Sequence, residues 1–516
     1  MTARRTNAAA APFGRHGVRL RIAAPVWDRL KGFHLAKGKQ HESLSYIWAR
    51  CEVVDGQHII LVPPDAPLFS FADDCLLSQA WGQVTLLPEV LNGMLVEFAK
   101  SGLYNCLVNV HDHWFAEHGE FSAVDDADDL RFDTYLRERF EPMLARRPDI
   151  GPKRPIFNLS VVIGQETSSA RLVDRRQEGL PFLPADHIGV LDRHFRAEPL
   201  AVPNASEGPG PDPMLNRQAA FISSRAQAAL AKWRIALIGC GGLGTVVAES
   251  LLRAGARDLI LIDHDRIEAS NLNRWQGGMP ADVGQPKARV LARRLARMTP
   301  GARIEYLCRS LDHPNAIAAV ARSDVVIGLL DNDAARWQLC HVAIHYMVAY
   351  FDAGVVINPP PMVDFQGRYF AVLPGVTACT ECKPNLKLLD RDAVIQAWAH
   401  PTTVSARRAA GYALGVPEMS TPSAYSLNQR LGGLVVQELM NHVNAWRPMA
   451  TVVRESWRTG SFQRCDTDNY RERPSEDCPV CSLRIGRGSA LPMPTLGRRL
   501  ERLNLPADPF HEEEVD

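Results

Sequence analysis

No stretch of this 516-residue chain approaches the roughly 18 consecutive apolar residues of a transmembrane helix, so no membrane span or membrane partner is expected. Net charge is also missing. Lys and Arg number 58 and Asp and Glu number 58, which excludes a broad electrostatic pull toward nucleic acid or an anionic surface. The eleven cysteines are an odd number in a large chain, which argues against a disulfide framework and for a reducing, cytoplasmic setting. The basic, Ala-rich stretch over residues 1–17 is followed by no apolar run, so it reads as a disordered tail rather than a secretory signal. Apolar residues make up 46% and charged residues 22%, an ordinary globular composition. At roughly 100–200 residues per domain, the length predicts two or three domains.

A boundary is expected at 197–213. Ala201-Val-Pro-Asn-Ala-Ser-Glu-Gly-Pro-Gly-Pro-Asp-Pro213 is rich in Pro, Gly and small polar residues and has no apolar period, as in a linker. Upstream, over 18–196, strand-like runs occur at Ser45–Val54, His58–Val62, Cys106–Val110 and Phe157–Ile163, with helical spacing over Pro88–Ser101. That mixture predicts an α+β domain. Downstream, over 214–486, strands at Arg234–Ile238, Asp258–Ile262 and Val325–Leu330 alternate with helices at Thr245–Ala254 and Pro286–Met298. Such alternation predicts α/β architecture with parallel βαβ units. Residues 487–516 form a polar tail that ends acidic.

Gly239, Gly241 and Gly244 lie in Gly-Cys-Gly-Gly-Leu-Gly, directly after an apolar strand and before a helix. Glycines there let backbone N–H groups approach phosphate, and the helix N-terminus favours negative charge. Nineteen residues past Gly244, Asp263 ends the next strand, where an acid can accept hydrogen bonds from ribose hydroxyls. These features alone fit a nicotinamide-dependent dehydrogenase as well as an ATP-using enzyme.

The segment Asp263-His-Asp-Arg-Ile-Glu-Ala-Ser-Asn-Leu-Asn-Arg-Trp275, then Val283-Gly-Gln-Pro-Lys287 and Leu330-Asp-Asn-Asp333, separates those readings. With the glycine turn they resemble the ThiF/MoeB/ubiquitin-activating enzyme superfamily, whose ordered pattern is G-x-G-G-x-G, D-x-D, S-N-L-x-R-Q, G-x-x-K and D-N. The resemblance covers about 213–485. It implies a Rossmann-like adenylation domain that joins the carboxylate of a ubiquitin-like protein to the α-phosphate of ATP and expels pyrophosphate. Both reactants are anionic, so cations must offset their repulsion. By resemblance, Gly239, Gly241, Gly242 and Gly244 line the phosphates, Arg274 and Lys287 bind them with help from Asn271, Asp331 holds Mg2+, and Asp263 and Asp265 lie at the ribose. Asn216-Arg217-Gln218 resembles a motif whose arginine, here Arg217, reaches the γ-phosphate of the other protomer, which implies a homodimer. One departure is Trp275, where the family has glutamine; it is expected to bear on substrate fit and not on phosphate chemistry.

Cys379 and Cys382, and Cys478 and Cys481, form two Cys-x-x-Cys pairs 96 residues apart. Four sulfurs suit tetrahedral zinc, with a redox pair as the alternative. Paired cysteines at this position also recur in the ThiF/MoeB family as a structural zinc site. Ubiquitin-activating enzymes place a further, thioester-forming cysteine in the crossing loop that follows. Here that loop, Lys383 to Asn428, has none, and Ala409 or Ala410 stands near the equivalent position. Cys465 is the leftover candidate thiol, and Cys240 reads as packing.

In the N-terminal half, His111 and His113 close a strand, and Ser122 and Asp125 follow at S-x-x-D spacing. Two imidazoles and a carboxylate leave one zinc position for water, the catalytic arrangement. The set resembles the JAB/MPN metalloprotease motif H-x-H-x7-S-x-x-D, with one extra residue before Ser122 and Trp114 in place of proline. The resemblance implies that Glu42 is the general base and that Ser122 stabilises the oxyanion; Asp126 is an alternative ligand to Asp125, and His118 in the same loop is solvated.

The expected molecule is therefore an N-terminal JAB/MPN-like α+β domain joined to a ThiF-type adenylation domain, using ATP, Mg2+ and Zn2+. Its expected function is activation of a ubiquitin-like protein in a bacterial ubiquitin-like conjugation pathway, with a ubiquitin-conjugating-type protein as a further partner. Two other readings stand beside it. One is activation of a sulfur-carrier protein for cofactor biosynthesis, favoured by the absent loop cysteine. The other is a degenerate scaffold that only binds a ubiquitin-like partner.

Overall fold

The structure, a computed structural model, describes residues 17–37, 39–71, 75–80, 83–147, 155–173, 181–194, 196–201, 213–331, 333–358, 364–382, 423–465 and 475–490. Most of the basic N-terminal tail, most of the expected linker, the loop with Ala409 and Ala410, the side chain of Cys465 and nearly all of the acidic tail lie outside these residues. The chain divides into two compact units. The first comprises Met1–Asp192, Arg196–Gly208 and Gly486–Ala490, and the second Arg193–Phe195, Pro209–Ile485 and Leu491–Asp516.

In the first unit the strands are β1 (Val18–Ala23), β2 (Leu44–Val54), β3 (Gln57–Val62), β4 (Leu68–Ser70), β5 (Leu76–Ala80), β6 (Gln83–Leu86), β7 (Cys106–Asp112), β8 (Phe157–Ile163), β9 (Ser168–Val173), β10 (Phe182–Leu191) and β11 (Arg196–Ala197). The main sheet runs β1-β3-β2-β7-β8-β9-β10-β11, with β4 on β2, while β5 and β6 form a separate hairpin. The first residues of β10 pair with β9 and the rest pair with β1, so the path returns to its first strand. Helices α1 (Ala24–His34), α2 (Pro88–Ser101), α3 (Ala123–Tyr135) and α4 (Glu141–Ala145) complete the unit. Strand β2 is buried from Ser45 to Glu52, because elements cover both of its faces. On one side Met94, Leu95, Phe98 and Ala99 of α2 pack with Tyr46, Trp48 and Leu107. Pro88 starts α2 at a position that needs no N–H donor, and left-handed Gly102 ends it.

The second unit has strands β12 (Arg234–Ile238), β13 (Asp258–Ile262), β14 (Arg303–Leu307), β15 (Val325–Gly328), β16 (Ala349–Asn358), β17 (Asp364–Val372), β18 (Val452–Ser456) and β19 (Ser461–Cys465). Their order is β14-β13-β12-β15-β16-β17-β18-β19. The first five are parallel, and β17 to β19 add on antiparallel. Strand β12 is five buried residues flanked by β13 and β15, as expected of a central parallel strand covered on both faces. The helices are α5 (Ser224–Lys232), α6 (Gly242–Ala254), α7 (Lys287–Met298), α8 (Pro314–Ala321), α9 (Asp333–His345) and α10 (Tyr425–Asn444). Ala288, Leu291, Ala292 and Leu295 form the apolar stripe that seats α7 in the core. Chain order reverses between β12 and β15, so the unit has a topological switch point at the carboxyl ends of those strands.

A buried imidazole in this core gives the second unit a pH dependence. His442 of α10 is 1% exposed, hydrogen-bonded to the Arg193 carbonyl and packed edge-on to Phe351. Burial lowers its pKa to about 4. Between that value and the ordinary value near 6.5, the unfolded chain binds a proton that the folded one does not, so stability rises with pH across this window and levels off above it. Urea unfolding of this unit is expected to lose about 2 kcal/mol between pH 7 and pH 5 from this residue. The slope should flatten in His442→Gln; an unchanged slope would refute the assignment.

Candidate nucleotide site and metal centres

At the carboxyl end of β12 the chain makes a tight turn into α6. Gly239 has φ +100°, and a Cβ there would lie 2.5 Å from the Leu329 carbonyl oxygen, so only glycine fits beside β15. A Cβ on Gly244 would meet the Gly239 carbonyl oxygen at 2.1 Å, and one on Gly242 would meet Asn428 Nδ2 at 2.5 Å and Arg274 Cγ at 3.0 Å. Gly241 differs from these: a Cβ there would meet nothing within 4 Å. Packing therefore accounts for three of the glycines, while the fourth borders open space beside the N-terminus of α6.

Several expected phosphate and ribose residues converge on this turn. Asp263 follows β13; its Oδ2 accepts the Cys240 N–H at 2.6 Å and its Oδ1 the Asp265 N–H at 2.8 Å. Burial raises the Asp263 carboxyl, and Lys287 and the two backbone donors act against that rise. Lys287, at the start of α7, donates to Asp265 Oδ2 at 2.7 Å, and the Asp265 side chain is half exposed. The Arg274 backbone and side chain pack against Gly242, and its guanidinium donates to the Ser270 carbonyl at 2.9 Å. Asp331 is exposed two residues beyond Leu329, which touches Gly239. Its loop is tied down by the buried Arg336, which donates to the Leu330 carbonyl and, at 2.6 Å, to Asp352. Asn271 is buried and its Oδ1 accepts the Glu268 N–H, so it shapes the Arg274 turn. Arg217 is exposed on the turn Pro213–Gln218, whose Gln218 donates to the Arg253 carbonyl at the end of α6.

Two contributors were not legible as site residues, and a third was legible only as a departure from the family pattern. Asn428, near the start of α10, approaches Gly242 and is buried. Arg336 holds the Asp331 loop from inside the core. Trp275, expected to bear on substrate fit, is instead 2% exposed, and its indole donates to the Cys240 carbonyl in the glycine turn at 2.7 Å.

The four cysteines of the two pairs lie together. Sγ separations are 3.9 Å for Cys379–Cys382, 3.6 Å for Cys379–Cys478 and 3.4 Å for Cys382–Cys481. A tetrahedron with Zn–S of about 2.3 Å has edges of roughly 3.8 Å, so the four thiols fit one zinc ion. The Ser475 N–H points to Cys382 Sγ and the Cys481 N–H to Cys478 Sγ, the backbone donation that stabilises thiolates. The Cys478 thiol is held below its ordinary value, first by its hydrogen bond with Cys379.

In the first unit His111 and His113 emerge from the end of β7. His111 Nε2 lies 3.0 Å from Asp125 Oδ1, and His113 Nε2 lies 3.7 Å from Asp125 Oδ2 and 4.0 Å from Glu42 Oε1. One ligand atom from each of His111, His113 and Asp125 falls within 4.8 Å of the others, which fits a single metal with one position left over. Ser122 caps α3: its Oγ accepts the Asp125 N–H, and its own N–H donates to Asp125 Oδ2 at 2.6 Å. This capping box aims Asp125 at the histidines. Burial acts to raise the Asp125 carboxyl, but the His111 hydrogen bond and charge and the Ser122 N–H hold it below the usual range. Asp126 pairs with Arg171, whose guanidinium also binds Asp129 and lies between the Phe121 and Phe182 rings. His118 is exposed and touches Thr167.

Glu42 is positioned by its neighbour. Asp112, between the two histidines, is wholly buried; its Oδ2 accepts from Ser43 N at 3.0 Å, Lys39 Nζ at 2.6 Å and His34 Nδ1 at 2.7 Å. These bonds pin the loop before β2 to β7. Burial pushes the Glu42 carboxyl up to about 7, the range a general base needs at neutral pH.

A mostly parallel sheet with a glycine turn, an acid and paired cations at its switch point defines a doubly wound α/β domain. The ThiF family matches residues 215–480, more than half of the chain, and the chain belongs to that family. It is 30% identical over 282 residues to ubiquitin-like modifier-activating enzyme 5 of Drosophila pseudoobscura pseudoobscura, covering 48% of this chain and 69% of that protein. It is 36% identical over 156 residues to the NEDD8-activating enzyme E1 catalytic subunit of Arabidopsis thaliana, covering 29% and 34%. To the SAMP-activating enzyme E1 of Haloferax volcanii it is 28% identical over 192 residues, covering 33% and 71%. Of the Drosophila willistoni enzyme 5 it spans 39%. Among solved structures it is similar to E. coli MccB with ATP, at a TM-score of 0.41 and 19% identity, covering 53% of this chain and 76% of that one.

The metal assignments lead to a count. Purified protein is expected to carry two zinc ions per chain by elemental analysis. Cys382→Ser should remove one and lower the unfolding temperature of the second unit, whereas His111→Ala should remove the other alone. A wild-type content of one that disappears only in Cys382→Ser would show that the histidine site does not hold zinc.

Proposed function

We propose that the second unit adenylates the C-terminal carboxylate of a ubiquitin-like protein, as part of a bacterial ubiquitin-like conjugation pathway. The observation that carries this reading is the placement of two cations at the glycine turn: Arg274 packs against Gly242, and Lys287 acts on Asp263 and Asp265 beside it. Hydride transfer puts no developing charge on a phosphate for such a pair to offset, whereas attack at the α-phosphate does. The carboxylate oxygen attacks the α-phosphorus of ATP, the bond to the β-phosphate oxygen breaks, and pyrophosphate leaves. Arg274 and Lys287 offset charge on the reacting phosphates in ground and transition states. The outward N–H groups of the turn and the N-terminus of α6 hold phosphate oxygens. Asp265 is exposed enough to meet the ribose, while Asp263 is committed to the turn and reaches it only through its remaining lone pairs. Asp331 is the carboxylate for Mg2+, which lowers repulsion between the phosphates. Arg217 is read as reaching the γ-phosphate of a second copy in a homodimer.

For the first unit we propose a zinc hydrolase of the JAB/MPN kind, cleaving a ubiquitin-like precursor or conjugate. Bound zinc would polarise water and the scissile carbonyl. His111, His113 and Asp125 would hold the ion, Glu42 would take and return the proton, and Ser122 fixes Asp125. Because Ser122 Oγ accepts from the Asp125 N–H, its hydroxyl proton remains available to a substrate oxyanion.

The absence of cysteine between Lys383 and Asn428 supports a second reading of the adenylating unit. On that reading the reaction stops at the acyl-adenylate and serves a sulfur-carrier protein.

Exchange of labelled pyrophosphate into ATP in the presence of the ubiquitin-like partner tests adenylation. Asp331→Ala and Arg274→Ala are each expected to reduce exchange by about 100-fold or more, and full activity in either would remove its role. A scaffold gives no exchange even in the wild type. Cleavage of a ubiquitin-like fusion by the same preparation should drop roughly 100-fold or more in Glu42→Gln with exchange intact.

A further inference from the structure

We propose that Trp275 is a positioning residue that fixes the peptide between Cys240 and Gly241, aims the Gly241 N–H outward, and so sets affinity for the phosphates of the nucleotide rather than for its nucleoside. The proposal rests on the adenylation reading of this turn.

Cys240 is wholly buried and is gripped on both sides. Its N–H donates to Asp263 Oδ2 at 2.6 Å, and its carbonyl accepts the Trp275 indole N–H at 2.7 Å. A trans peptide is planar, so its carbonyl and its N–H point in opposite directions. With the Cys240 carbonyl drawn into the core by the indole, the N–H of the same peptide, that of Gly241, faces the other way. Gly241 itself is only half-buried, and a Cβ on it would meet no atom within 4 Å. The outward N–H therefore opens on the space where a phosphate reaches the turn. If this peptide flipped, it would present a carbonyl dipole to the phosphate, repelling it, and would leave the indole N–H buried without its acceptor.

Trp275 is well placed to prevent that flip. It belongs to the buried core under the turn, the Arg294 guanidinium lies 5.9 Å over its ring, and its Cε3 lies 2.9 Å from where a Cβ on Gly278 would be. Its own N–H donates to the Asn271 carbonyl at 2.9 Å, so the residue also ties the Arg274 turn to the glycine turn. The ring thus fills core volume while its single polar atom reads one backbone carbonyl.

Calorimetric binding of ATP and of adenosine to the full chain separates this role from a general structural one. In Trp275→Phe, which keeps an aromatic ring and deletes the donor, ATP affinity is expected to fall roughly tenfold or more while adenosine affinity stays within about twofold. Equal losses for both ligands, or no loss for ATP, would overturn the proposal. If that variant does not fold, Gly241→Pro serves in its place, because φ is −72° at this position and proline replaces the N–H with a ring methylene that cannot donate. It should produce the same selective loss, and unchanged ATP affinity there overturns the proposal by itself. Failure of the wild type to bind ATP takes down the adenylation reading too, whereas ATP binding equal in wild type and Trp275→Phe defeats only the role of Trp275.

Discussion

The glycine-turn edge of the second unit depends on one hydrogen bond, from the Cys240 N–H to the half-buried Asp263 carboxylate. It joins the end of β13 to the turn after β12, and the remaining pieces are placed relative to it. Asp265 follows because its N–H bonds the other Asp263 oxygen, and Lys287 follows because both its backbone and its ammonium reach Asp265. A carboxylate partly withdrawn from water is costly unless it is surrounded by donors and a cation. The donors here are backbone groups of the phosphate turn and the cation is a proposed phosphate ligand. An anionic ligand arriving at Lys287 would compete with the acids for the same charge. The half-exposed Asp265 can turn toward solvent or ribose, and Asp263 cannot.

The first unit solves a related problem by a different route. Most of the charged groups there are also withdrawn from water, but they are organised by side chains rather than by a glycine turn. Asp112 gathers His34, Lys39 and the Ser43 N–H on one oxygen, and Arg171 gathers Asp126 and Asp129 while two aromatic rings cover its faces. The first cluster fixes the loop with Glu42; the second fixes the helix with Asp125. His111 on β7 and His113 just beyond it both approach Asp125, and His113 also approaches Glu42, so the two carboxylates facing the histidines are each anchored by a separate cluster. Precision of this kind is what a three-ligand metal centre requires from its surroundings.

Much of this arrangement was legible in the sequence, for physical reasons that can be located. Arg234–Ile238 and Asp258–Ile262 are short apolar runs bounded by a glycine turn and acids, and they are β12 and β13 with those bounds. Pro88 and Gly102 bracket α2 because proline suits a first turn and glycine a left-handed end. The short or partly polar strands were less legible. Leu68–Ser70 has three residues and no period to detect, and β10 alternates while changing partners midway. Helix α3 begins in Ala-Val-Asp-Asp-Ala-Asp-Asp, which reads as a polar loop until Ser122 and Asp125 are seen to cap one another and Asp129 is seen to meet Arg171.

Motifs name residues that must touch a ligand, but not those that aim them. Trp275 makes the point most sharply. As a letter in a motif it is a departure from glutamine next to the phosphate arginine, and the natural inference is a changed substrate surface. The side chain is instead internal, and what it contacts is a carbonyl 35 positions earlier in the chain. Sequence spacing carries no information about that contact, since it depends on β12 and the Arg274 turn arriving at the same depth in the core. Arg336 follows the same logic: it is separated from Asp331 by only five positions, yet it acts through the Leu330 carbonyl and Asp352 on the neighbouring strand. In both cases the polar atom of a buried side chain selects one backbone orientation at the edge of the sheet, and the residues that face the ligand inherit their geometry from that selection.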